Sequence, residues 1–137
     1  MHTFYADVPW HAFKVSFPIV PPTVGDHFVV CHGSGDDSAH RVCMIDDQGH
    51  VTTAYSGRPS PLRSPIHLAA TNTGFVLVLD ADNKRIALLD PELGYVLDVV
   101  CVDHGLDDPR RICWDVASSR LYVAEATGNI LVFELLP

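Results

Sequence analysis

Apolar residues along this chain come in short runs, each closed by Gly, Pro, Asn or Asp. Runs of about 4–8 residues with such boundaries are the signature of β-strands, since an amphipathic helix needs a longer stretch with a different period. The pattern predicts a half-buried strand at residues 12–19, where apolar and polar positions alternate until Pro18, Pro21 and Pro22 impose an extended connection. Further strands are predicted at 28–31, 41–45 and 51–55, at 66–70, 75–79, 85–89 and 95–102, and at 111–115, 121–125 and 129–135. Acidic, Gly-containing turns separate them, and Asp46-Asp47-Gln48-Gly49 carries a type I turn signal. No helical pattern is present.

The runs repeat. Pro65 and Pro109 stand 44 residues apart, each ahead of an apolar strand, an acidic turn and a second apolar strand. Arg41, Val42, Ile45 and Asp46 precede Arg85, Ile86, Leu89 and Asp90 by the same 44 residues. A period of about 40–50 residues holding about four strands is that of a β-propeller blade. The expectation is an all-β chain forming a partial β-propeller of about three four-stranded blades, the last incomplete. The units fall at 26–64, 65–108 and 109–137, behind an N-terminal extension, 1–25, that carries one strand.

Composition narrows the function classes. At 47% apolar and 19% charged residues the chain can form a packed core, and no apolar run is long enough to predict a transmembrane helix. Asp7, Pro9, His11 and Lys14 interrupt the N-terminus where a signal peptide is continuously apolar, so a soluble, cytoplasmic protein is expected. A net charge of −8, with Lys14 and Lys84 as the only lysines, disfavours nucleic acid and anionic membranes as partners. Cys31, Cys43, Cys101 and Cys113 form no CxxC, which argues against zinc. They are expected as buried thiols, with a contact between Cys31 and Cys43 across one hairpin as the alternative.

Pro65-Ile66-His67-Leu68-Ala69, Gly74-Phe75-Val76-Leu77-Val78-Leu79-Asp80, Asn83-Lys84-Arg85-Ile86 and Leu121-Tyr122-Val123-Ala124-Glu125 resemble NHL repeats. The resemblance runs from about residue 26 to 137 and is strongest over 65–135. It is similar to the C-terminal propeller region of tripartite-motif/NHL-type proteins, whose six-bladed propellers serve mostly as binding platforms for protein and in some members RNA. The resemblance therefore implies a protein-binding module, like the substrate-recognition region of tripartite-motif ubiquitin ligases. No Cys/His array of RING or B-box type is present in the sequence, so ligase chemistry is not expected in it.

Catalytic signatures are lacking: there is no HExxH and no GxSxG. No enzyme activity and no cofactor are expected. The binding candidates are Arg85, Arg110 and Arg111, with Arg120 nearby as a basic patch, together with Trp114; the plainer reading of the arginines is a solvated strand start, and of Trp114 and Tyr122 a place in the core. His67 is expected as a structural histidine. His32 and His40, flanking Asp36-Asp37, could form a two-imidazole metal site, against the plainer reading of a solvated loop. Asp80, Glu125 and Asp115 are the acids that a calcium-dependent hydrolase or lactonase-type propeller would gather on its axis, the alternative to a binding module; an RNA-binding NHL module is a third. An open array leaves strand edges exposed, so a homo-oligomer or association with another propeller segment is expected to cover them.

Overall fold

Each strand pairs antiparallel with the strand next to it in sequence, because short turns join neighbours and leave no crossover to bridge. The structure is a computed structural model that describes residues 3–5, 10–15, 27–32, 42–55, 57–58, 60–71 and 73–135. Sheet 1 holds β1 (Thr3–Tyr5), β2 (Trp10–Val15), β3 (His27–His32), β4 (Val42–Ile45) and β5 (Val51–Ala54). Sheet 2 holds β6 (Pro65–Ala70), β7 (Val76–Asp80), β8 (Arg85–Leu89) and β9 (Tyr95–Val100). Sheet 3 holds β10 (Pro109–Asp115), β11 (Arg120–Glu125) and β12 (Ile130–Glu134). The chain is all-β, and its one described helical element is a 3₁₀ turn at Val102–His104. No described helix is long and apolar enough to cross a membrane.

Sheet 2 lies between the other two, and the alternation of side chains along its strands divides two cores. Val76 and Val78 of β7, with Leu68 and Leu89, meet Val29, Cys31, Val42 and Met44 of sheet 1. Leu77 and Leu79, with Ala69 and Ile86, meet Ile112, Leu121 and Val123 of sheet 3. A strand covered on both faces must be apolar at every position, which is why the 75–79 run shows no alternation. All five residues of β7 are buried. The closest approaches between sheets involve the first strand of sheet 2: β6 lies against β2 and β3 on one side and against β10 on the other.

Two expectations change. The N-terminal segment supplies two strands rather than one, and β2 pairs with β3 from Trp10↔His32 to Val15↔His27, so it belongs to sheet 1 and does not stand apart. Positions 16–26 lie outside the described residues. The expected strand at 95–102 stops at Val100, where Val102–His104 turns and Gly105 takes a left-handed φ of 98°.

The repeat is written into the backbone more strongly than into the side chains. Outside glycine, three described residues have left-handed φ: Lys84 (49°), Leu93 (63°) and Ser119 (55°). Each stands one period from a left-handed glycine, since Leu93 follows Gly49 by 44 residues, Gly128 follows Lys84 by 44 and Ser119 follows Gly74 by 45. The turns thus keep one conformation whichever residue occupies them. An L-residue pays roughly 1–2 kcal/mol for it. Lys84→Gly and Ser119→Gly are therefore expected to raise stability by about 0.5–1 kcal/mol each, after the larger unfolded-state entropy of glycine is counted; an unchanged or lower urea midpoint for both would contradict this.

Candidate binding site

In the second and third units an acid at the end of the second strand clamps the link that leads into the first. Asp80, fully buried at the end of β7, accepts hydrogen bonds from the N–H groups of Arg63 (3.1 Å) and Ser64 (2.6 Å). Glu125, at the end of β11, accepts from Asp107 (2.8 Å) and Asp108 (2.7 Å) in the same way. A backbone bond runs back in each unit, from Ala81 N–H to the Ser64 carbonyl and from Ala126 N–H to the Asp108 carbonyl, both 2.9 Å. A second device closes the turn after the third strand. Asp46 accepts from the N–H groups of Gln48 and His50, and Asp90, 44 residues later, from Glu92 and Gly94. These bonds, the one from His50 N–H foremost, hold the Asp46 carboxyl below its ordinary range.

The candidate calcium acids are therefore occupied. Asp115 lies at the opposite end of sheet 3 from Glu125, because Pro109 pairs with Glu125 and Asp115 with Arg120, and its carboxylate accepts from the Ser118 hydroxyl at 2.6 Å. Among the described residues no group of three His, Cys, Asp or Glu side chains could hold a metal ion. The histidine pair falls outside the description: His40 and the side chain of His32 are not among the described residues.

The four binding candidates do not form one site. Arg85 is buried inside sheet 2, where its Nε donates to Asp80 (3.1 Å), Nη1 to Asp98 (3.3 Å) and to the Ser60 hydroxyl, and Nη2 to the Pro61 carbonyl (2.8 Å). Tyr55 donates to the Ser60 carbonyl and Tyr95 to Asp98 (3.1 Å), so a buried cation and its phenolic neighbours pin the 60–64 link to the sheet. Arg110 sits beside Asp108 (3.1 Å), and Arg120, at the far end of sheet 3, beside Glu134 (3.3 Å). The basic patch is dispersed for a simple reason: each of these three arginines has a carboxylate of its own. His67 bridges sheets, its Nδ1 accepting from Ile112 N–H at 3.0 Å.

Sheet 3 carries the surface that sequence reasoning placed in the core. Its inward face, with Ile112, Leu121, Val123, Trp114 and Phe133, packs on sheet 2. The opposite face presents Cys113, Tyr122, Ala124, Ile130 and Val132, with Ile130 65% and Val132 50% exposed. Arg111 lies on the same face. By the repeat, these positions correspond to His67, Ala69, Leu77, Leu79, Ile86 and Leu88, the face of sheet 2 that sheet 3 covers. The 130–133 run is as apolar as 75–79, which predicts burial on both faces, yet only one is covered among the described residues. The cysteines follow the same alternation. Cys31 faces sheet 2 and Cys43, paired with Val30, points the other way, so they cannot meet across the hairpin; Cys113 is exposed instead of buried.

Beside β12 the gap between sheets 2 and 3 widens into a cleft of about 700 Å³, lined by Leu88, Leu97 and Val99 on one wall and Trp114 and Leu135 on the other. No family model matches this chain, and no curated protein matches it.

Removing the clamps has a graded outcome. Asp80→Ala leaves the buried Arg85 cation with the partly exposed Asp98 as its one remaining carboxylate and takes the acceptor from the Arg63 and Ser64 N–H groups, and is expected to cost about 3–5 kcal/mol. Glu125→Ala removes only the acceptor of two backbone N–H groups, since Asn129 occupies the position corresponding to Arg85, and is expected to cost about 1–3 kcal/mol; urea unfolding of both variants reads the difference. Burial pushes the Tyr55 hydroxyl above its ordinary range. Its contribution is complete below the unfolded tyrosine pKa of about 10 and is lost as pH rises through the higher folded value. Tyr55→Phe should therefore flatten the alkaline fall in stability, measured as urea midpoints on either side of about pH 10.

Proposed function

We propose that this chain is a non-enzymatic binding module, a partial β-propeller of NHL-like units that offers sheet surface to a protein partner. One observation carries the reading: the outward face of sheet 3 repeats, position for position, the face with which sheet 2 buries itself beneath its neighbour, and it is apolar and open. Exposed contiguous apolar surface of this kind marks protein interaction sites. Taking Ile130 and Val132 out of water against a partner is favourable by roughly 25 cal/mol for each Å² of apolar area covered. The net charge of −8 favours a partner with a basic rim. The hydrogen-bonding capacity of Asp80, Glu125 and Arg85 is spent inside the fold, which supports a scaffold role for the acids that an axial calcium site would need.

The test uses the whole chain as bait for proteins of a cell extract, with quantitative comparison to the Ile130→Lys, Val132→Lys double variant. Both positions are half or more exposed, so the fold should survive, checked by circular dichroism. Specific captured proteins should fall by about tenfold or more in the variant, the effect of about 1.4 kcal/mol or greater at an interface. Equal capture by both proteins would refute the reading.

A further inference from the structure

We propose that Ser60 is a phosphorylation site, modified by a proline-directed protein kinase, and that the phosphoryl group releases the link at residues 60–64 from the buried Arg85. The inference concerns the joint between sheets 1 and 2, goes beyond the binding-module reading and does not rest on it.

The sequence singles out two positions. Ser60 and Ser64 are the only Ser or Thr residues of the chain followed by proline. Proline at 59 and at 61 biases Arg58 and Ser60 toward extended backbone, the conformation in which peptide segments enter recognition grooves. Pro61 has no N–H to offer, which restricts the enzyme to kinases that accept proline after the serine. The fold then separates the two serines. Ser60 is half-buried between exposed Arg58 and Pro61, in the stretch between β5 and β6. Ser64 is buried, its N–H held by Asp80 and its carbonyl by Ala81 N–H. Ser60 therefore carries the Ser-Pro hydroxyl that an enzyme reaches by lifting a few link residues.

What this serine touches gives its modification a consequence. Ser60 Oγ accepts from Arg85 Nη1, the Ser60 carbonyl from the Tyr55 hydroxyl, and the Pro61 carbonyl from Arg85 Nη2 (2.8 Å). The same guanidinium already serves two carboxylates, Asp80 at 3.1 Å and Asp98 at 3.3 Å. A phosphoryl group adds about −1.5 to −2 of charge at this place, so that two carboxylates and a phosphate compete for one cation. Asp80 is fully buried and Asp98 is anchored within β9, so the link is the part that leaves. Its departure draws Leu62, 8% exposed, out of the core that sheets 1 and 2 share.

The third unit lacks both halves of the device: Asn129 stands in place of Arg85, and residues 101–108 contain no Ser or Thr. Its link, held by Glu125, is an internal control that phosphorylation leaves untouched. In the transfer, the bond from the γ-phosphorus of magnesium-bound ATP to its bridging oxygen breaks and one to Ser60 Oγ forms. The hydroxyl proton passes to the kinase's general base, and ADP leaves.

The experiment incubates the full chain with a purified mitogen-activated protein kinase and MgATP, and locates phosphate by fragmentation mass spectrometry. Phosphate is expected on Ser60 and not on Ser64, and nowhere in Ser60→Ala, whose fold is checked by circular dichroism. In the modified protein, amide exchange at Arg63 and Ser64 should quicken by about tenfold or more, the effect of losing a charge-assisted hydrogen bond, while exchange at Asp107 and Asp108 stays unchanged. Tyr55→Phe, which frees the Ser60 carbonyl, should speed incorporation. A synthetic peptide of residues 55–65 that the kinase ignores would refute the proposal, and so would a peptide that is modified while the folded chain is not. Phosphate on Ser64, or unchanged or slower exchange at Arg63 and Ser64 after modification, would overturn it as well.

Discussion

Everything in this architecture depends on sheet 2 being apolar on both sides. A pleated sheet sends successive side chains to opposite faces, so a run such as Val76-Leu77-Val78-Leu79 cannot hide by lying on one neighbour; it needs two. Sheets 1 and 3 meet that requirement, and the order of the sheets along the chain follows from it. Each of the fully buried leucines and valines contributes about 1.5–3 kcal/mol relative to exposure. Because strands pair only with sequence neighbours, these contacts between sheets are what make three meanders into one body.

The polar groups serve that stacking. Asp80 and Glu125 fix the links just before β6 and β10, the two strands that press sheet against sheet, and His67 ties β6 directly to the backbone of β10. Buried charge here sets position rather than adding stability: the Asp80–Arg85 pair gains its Coulomb energy at the expense of two desolvated ions, and its value lies in holding the 60–64 link in one geometry. The third unit keeps the acid and dispenses with the arginine, and its hairpin turn is one residue shorter.

Much of the fold was legible in the sequence. The ten strands predicted after residue 26 all form, since short apolar runs closed by turn residues have one reading, and the 44-residue echo marks units that hydrogen bonding then repeats atom for atom at Asp46 and Asp90. The strands of the N-terminal segment were legible only in part, because the repeat does not extend to them. The arginines misled because composition does not show which carboxylate each will meet: Arg85 looks like a surface cation and is buried against Asp80. Tyr122 and Trp114 were both read as core, and only the register separates them, one residue facing outward and the other facing the cleft. An apolar run announces that two faces want cover, but not whether both receive it.

The placement of the thiols has a practical side. Cys113 stands on the open face of sheet 3 beside Tyr122, whereas Cys31 and Cys43 are buried and burial pushes the Cys43 thiol up, away from the reactive thiolate. The molecule therefore carries its own footprinting reagent site: the rate at which an alkylating agent modifies Cys113 reports, in any mixture, whether something is lying on that face.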